Sequence, residues 1–481
     1  NTDTKTGNTT NKLDIKQLKK MALDGDVEAA EKLGNYYNDP QNKDINEVFR
    51  WYILAVQLGS NAVLDWHGHF NYEVHTSKES KFHIKKLIKV LEKRNDAIAQ
   101  SYLGSIYNEG CGTCELQKNR KKGFKYLEQA ADQGHVEASV VMGGNALLGV
   151  DKNVTKDTKK ALDWLLQVAD QSMEANYYLG YMYETGLTGN IDYDFAEKHY
   201  KNALELFDSK KPKWIFSYTD ILDGLSNLHF RRGDYSKSED LMKEVVSRFE
   251  EDENTSFVNI SGIYASFIEI YLRQEKFVEA NTILKKLEDI FTEERYKLFS
   301  EEDLEYMQSY FPGYSLEDAK DDQIATMKWV RAKIEHGFNN IETAKKMFNE
   351  SDENFIHKLE RLSNNESLIV QQYIAGITNV IVESAIFYRE IGDIDRALRN
   401  IEISEKLVEK ASPYSGDMAR IYAEHAILYR LQGKFEKSKK YFDKGFRLAD
   451  HLKLDAHPLV AVYSVEFAKL YEQIGKENDA I

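Results

Sequence analysis

Residues Gly134 to Gly149, GHVEASVVMGGNALLG, carry a spacing that recurs through the first two hundred residues. From Ala138 it is five residues to Gly143, three more to Ala146 and three more to Gly149. The same frame holds Ala29, Gly34 and Tyr37; Ala99, Gly104, Tyr107 and Gly110; and Ala175, Gly180, Tyr183 and Gly186. A degenerate copy reads Val63, Gly68 and Asn71. The fixed glycines, Gly34, Gly68, Gly104, Gly143 and Gly180, stand 34, 36, 39 and 37 residues apart. Self-similarity of that length marks a helical array in which each unit packs only on its neighbours.

The remaining bulk properties agree with such an array. A chain of 481 residues would divide into about three globular domains, a count that a solenoid escapes because its core grows along a line. Five prolines suit long helices, which proline interrupts. With 64 Lys and Arg against 79 Asp and Glu the net charge is −15. Affinity for nucleic acid comes from neutralising phosphates, so nucleic acid is not an expected partner. No uninterrupted apolar run reaches membrane-spanning length; the closest approach, Leu368 to Tyr388, carries Gln371, Gln372, Thr378, Asn379 and Glu383 and reads as a buried helix. The polar opening NTDTKTGNTTNK, residues 1–12, reads as a disordered lead-in. It is either a mature terminus left by signal-peptide removal, which places the chain in the periplasm or outside the cell, or a simple boundary, which leaves a cytoplasmic protein open.

Each copy in residues 13–210 pairs two helices. The first bears the Ala, Leu-Gly and Tyr positions, with the glycine where a side chain would hold the partner helix away. The second bears an aromatic followed by small residues: Trp51, Tyr52, Ala55 and Gly59; Tyr126, Ala130, Ala131 and Gly134; Trp164 and Ala169; Tyr200 and Ala203. WYILAVQLGS, YLEQAADQGHVEA and YLGYMYETG resemble Sel1-like repeats, relatives of the tetratricopeptide repeat. The resemblance covers about residues 26 to 205 and implies an all-α fold, a right-handed α-α superhelix of helical hairpins that holds other proteins without catalysis of its own.

After Pro212 the rhythm changes. A turn residue followed two positions later by an apolar one recurs as Gly233 with Tyr235, Glu275 with Phe277, Asn339 with Ile341, Gly392 with Ile394, Gly433 with Phe435, and Gly475. Four residues before the turn stand His229, Tyr271, Tyr388, Tyr429 and Tyr471; five after it stand Ser238, Ala280, Ala344, Ala397, Ser438 and Ala480. Residues 211–481 thus resemble tetratricopeptide repeats in a lengthened form, as in kinesin-light-chain-like arrays. An acidic, aromatic insertion near residues 293–323 reads as an extra helix and loop or as a docking lid. The last repeat reaches Ile481 as its second helix is due, so further protein is expected to follow.

Signatures of chemistry are few. Cys111 and Cys114 fall on a loop after a helix, in YNEGCGTCELQKNRKKG, and can be a loop disulfide, two ordinary thiols or, less in keeping with that context, a metal or redox site. His67, His69, His75 and His83 are near in sequence, but a spacing of two on a helix turns side chains apart. No phosphate loop, HExxH or GxSxG motif occurs, and no metal site, cofactor or enzymatic activity is expected.

A partner is expected along the first helices of the second half. The family's clamp for chaperone tails is missing: Asn227 fills its ninth position in one repeat, but Asp223 stands at the fifth, and Ala265 and Glu269 take the positions of the next. Arg389 and Arg430 share one repeat position, with Arg420 nearby; together with Asn227 and Trp329 they are the candidate contacts. Their guanidinium groups either receive an acidic side chain or carboxylate, or pair with Glu383, Glu390 or Glu424 within the array. The chain reads as a protein-interaction scaffold or adaptor for a protein or peptide. The alternative is a sensory module of a larger bacterial signalling protein with an effector domain beyond Ile481.

Overall fold

The computed structural model describes residues 15–62, 64, 80–110, 117–148, 153–189, 191–208, 216–251, 257–290, 308, 315–362, 368–411, 416–451 and 458–475. Residues 1–12, His67, His69, His75, Cys111, Cys114, most of the acidic insertion and Ala480 lie outside them. Among the described residues there are 21 helices and no strand. None of these helices is long and apolar enough to cross a membrane. The chain divides into two compact units, Asn1–Leu179 with Glu205–Phe207, and Gly180–Leu204 with Asp208–Ile481.

In the first unit the recurring glycine has a steric reason. A Cβ on Gly104 would stand 2.6 Å from Leu127, and one on Gly143 would stand 2.7 Å from Leu165. One on Gly34 would overlap the Tyr52 ring. The glycine therefore lets the first helix of a hairpin lie directly on the large side chain of the second. The position three residues on closes the hairpin loop through its backbone. The carbonyls of Tyr37, Tyr107 and Ala146 accept from the N–H of Asp44, Asn119 and Asp157 at 3.1, 2.7 and 2.9 Å. Asp44, Asn119 and Asp157 are also the N-caps of the second helices, so one residue ends the loop and starts the helix. Neighbouring hairpins are tied by bonds about one repeat apart. Trp164 Nε1 donates to Asp132 at 2.8 Å, and Tyr126 donates to Glu92 at 3.1 Å.

In the second unit the turn residues take left-handed backbone: Gly233, Gly392, Gly433 and Gly475 at φ 86°, 81°, 72° and 70°. Glu275 and Asn339 do so without being glycine, at φ 58° and 63°. The turn demands this conformation because the helix ends in a Schellman pattern. The carbonyls of His229, Tyr271, Tyr388 and Tyr429 accept from the N–H five residues on, at 2.8, 2.9, 2.8 and 2.8 Å. The small residue of the second helix is fully buried in each described repeat, at Ser238, Ala280, Ala344, Ala397 and Ser438.

The longer step from Asn339 to Gly392 is taken up by longer helices, Ile341–Leu362 and Leu368–Glu390, of 22 and 23 residues. Residues 316–323 of the acidic stretch are helical. Ser315 and Asp318 form a reciprocal cap that starts Leu316–Gly337.

Candidate functional site

In the second unit the first helices of successive hairpins run Phe257–Arg273, Leu316–Gly337, Leu368–Glu390 and Gly416–Leu431. Their side chains bound a cleft of about 490 Å³. Three of the helices reach it with their C-terminal ends, at Arg273, Gly337 and Glu390.

The apolar wall is built by Leu272, Phe277, Ile386 and Phe387. Phe387 packs on Phe348 with ring centres 4.6 Å apart, and His336 meets it edge to face at 4.9 Å. Gly337 is needed here, because a Cβ would enter the ring of Phe277.

Charged groups cross the cleft from one first helix to the next. Lys333 Nζ sits 2.5 Å from Glu269 and 2.8 Å from Glu383. Arg273 reaches the same two carboxylates at 2.9 and 3.7 Å, and Arg420 approaches Glu383 at 3.8 Å. Burial pushes the Glu383 carboxyl up, but Lys333, Arg420 and Arg273 outweigh it and hold it below the ordinary carboxylate range. Three cations thus share two carboxylates. Two more carboxylates on the cleft wall, Glu275 and Glu390, are exposed and meet no cation among the described residues.

The five residues singled out in the sequence take different places. Arg420 lines the cleft. Trp329 stands under Lys333, whose ammonium lies 4.5 Å from the ring centre, and its buried Nε1 has no hydrogen-bond acceptor among the described residues. Asn227 donates to Asp223 at 3.1 Å one repeat earlier. Arg389 Nε lies 3.1 Å from Glu424, which is 4% exposed. Burial raises the Glu424 carboxyl, with Arg389 and Arg420 pulling against it. Arg430 is buried and meets Glu466 at 2.5 Å. Of the four histidines, His83 lies among residues whose side chains are described; it stacks on Phe49 at 5.0 Å and meets Asn46 at 3.0 Å.

Lys333, Arg273 and the aromatic wall are not among the contacts expected from the sequence. A signal existed for Lys333 alone: Asn227, Glu269 and Lys333 each stand six residues before their turn residue, so a polar group recurs on one face of three successive first helices.

Four stretches, residues 27–60, 97–135, 142–173 and 174–206, match the Sel1 repeat. No curated protein matches the sequence. Among solved structures, BtubC (BKLC) from P. vanneervenii is 17% identical, with 61% of this chain and 92% of that chain covered and a TM-score of 0.33. A Sel1 repeat protein from Oxalobacter formigenes is 19% identical over 48% of this chain and 98% of its own, also at 0.33. A signal transduction ATPase with a tetratricopeptide repeat sensor, from Pyrococcus horikoshii, is 14% identical over 94% of this chain and 66% of its own, at 0.42.

Proposed function

We propose that this chain, a protein of Sel1 and tetratricopeptide-type repeats, is a non-catalytic scaffold that holds a segment of another protein against the first helices of its second unit. The observation that carries the reading is the cleft of about 490 Å³, a volume in the range of built ligand sites, with an aromatic wall and charged groups drawn from four successive first helices. A peptide laid across those helices gains apolar burial and directional polar contacts together. Catalysis is not part of the proposal, because the cleft's inner ionisable groups are engaged with one another. Glu269 and Glu383 are matched by Lys333, Arg273 and Arg420, and Glu383 is held ionised rather than poised for proton transfer. The net charge of −15 favours a protein over a nucleic acid as the occupant.

The test places a photo-crosslinking amino acid at Ile386 in the full chain and, as control, at exposed Lys440 on the helix Phe435–His451. A discrete polypeptide adduct at Ile386 and none at Lys440 is expected. Equal yields at both positions, or no polypeptide adduct at Ile386, would remove the proposal.

A further inference from the structure

We infer that the cleft selects a basic apolar segment, one that places a Lys or Arg against Glu275 and Glu390 and a large apolar side chain against Leu272, Phe277 and Ile386. The inference rests on the reading of the cleft as a docking site and adds the chemistry of its occupant.

Charge decides the sign. The three cations of the cleft already have partners, and Lys333, the innermost, is only 17% exposed between Glu269 and Glu383. An acidic ligand would have to compete with those carboxylates for cations that are bound. Glu275 and Glu390 stand on the same cleft, exposed and with no ion pair within 4 Å among the described residues. The whole wall therefore counts four carboxylates, Glu269, Glu275, Glu383 and Glu390, against three cations.

Helix geometry adds in the same direction. The ends at Arg273, Gly337 and Glu390 are C-terminal, and each contributes the partial negative charge of its last carbonyls, about half an elementary charge per helix. A cationic side chain gains from these ends and an anionic one loses. The strongly negative net charge of the chain steers cationic segments toward it over longer distances.

The apolar half of the selection follows from half-buried Leu272, Phe277 and Ile386, which border the carboxylates. Covering them removes apolar surface from water, and the aliphatic stem of a Lys or Arg can lie along them while its head reaches Glu275 or Glu390.

The experiment pans a phage-displayed library of random heptapeptides on the immobilised full chain. Enrichment of Lys or Arg next to Leu, Phe or Trp is expected. The best such peptide, labelled with fluorescein, should bind the double variant Glu275→Gln/Glu390→Gln about tenfold more weakly, the loss of two partly exposed ion pairs. Glu275→Lys/Glu390→Lys should turn the preference toward acidic peptides. Both positions are exposed, and matching melting curves establish that the variants fold. Enrichment of acidic peptides on the wild-type chain would overturn the inference while leaving a docking cleft in place. Basic peptides whose affinity ignores both double variants would overturn it too, by placing them elsewhere. No enriched peptide at all would count against the docking reading itself.

Discussion

Asn400 donates its amide to Asp352 at 2.8 Å, joining the helices Ile394–Ala411 and Ile341–Leu362 through a pair that is 2% and 4% exposed. Burial raises this carboxyl to about 7, although Ser384, Asn400, Arg396 and Arg399 all pull it down. The native chain therefore keeps a proton that the unfolded chain releases near its ordinary value of 3.8. The resulting stability is fully present below about pH 4 and is lost as pH rises through about 7. Its size is at most about 4 kcal/mol, the free-energy equivalent of moving a carboxyl from 3.8 to about 7. Urea unfolding at pH 5 and pH 8 should show a smaller difference in Asp352→Asn than in the wild type. Asp223, raised to about 6 by burial, keeps part of the slope in the same direction. An unchanged slope in Asp352→Asn would mean that the carboxyl is ionised when folded.

Glu239 shows the opposite sign. Burial pushes it up, but Lys243, Lys276 and Gln274, at 2.7, 2.6 and 2.8 Å, hold it at about 2. Lys276 and Gln274 belong to the next repeat's turn, so the carboxylate ties two hairpins. Its contribution is present above about pH 4.5 and is lost as pH falls through about 2. Glu239→Gln should cost about 1–2 kcal/mol at pH 7, discounted because both lysines are half in water. A thermal melt lower by a few degrees at pH 7, with the gap closing toward pH 2, is the expected result; a constant gap would point to packing instead.

Gly180 faces the ring of Tyr200, where a Cβ would stand 2.8 Å from Cδ1. The ring has little freedom to move: it is 1% exposed and its hydroxyl donates to Glu184 at 2.8 Å. Gly180→Ala gains about 1 kcal/mol of helix propensity but should lose about 1–3 kcal/mol to overpacking, so the melting temperature should fall. A rise would show that the two helices separate at no cost. The penalty should shrink in a Tyr200→Ala background.

Arg389 covers a carboxylate that has almost no other access to water. Arg389→Ala leaves Glu424 buried with Arg420 as its remaining cation and should cost about 3 kcal/mol near neutral pH. The cost should diminish as pH falls, because the uncovered carboxyl can then protonate. Arg430→Ala should cost less, because Glu466 is half-buried and keeps Lys469 at 2.6 Å. The double variant, assayed by calorimetry and by crosslinking from Ile386, separates the two roles. Full stability with lost crosslinking would make these arginines partner contacts; lost stability with crosslinking retained at low temperature would make them struts between repeats.

The repeating frame was legible in the chain because it is written in local sterics. A glycine at Gly104 or Gly143, a loop-closing position at Tyr107 or Ala146, and a turn at Gly233 or Gly433 each do the same work in every copy. That work depends on neighbours within one hairpin. Even Glu275 and Asn339 could be placed at turns, because the residues around them kept the frame that glycine usually marks.

The cleft was legible only in fragments. Arg420 and Trp329 stood out in the sequence, while Lys333, Arg273, Phe277 and Phe387 did not, and nothing in the sequence marked Glu275 and Glu390 as carboxylates without a cation among the described residues. Periodicity says which residues share a face of one helix. It does not say which charges from different helices come within 4 Å, and Lys333 meets Glu383 across 50 residues of chain. The order of the hairpins was set by sequence; the partners of each charge, and hence which carboxylates are left to meet another molecule, were set by how neighbouring helices pack.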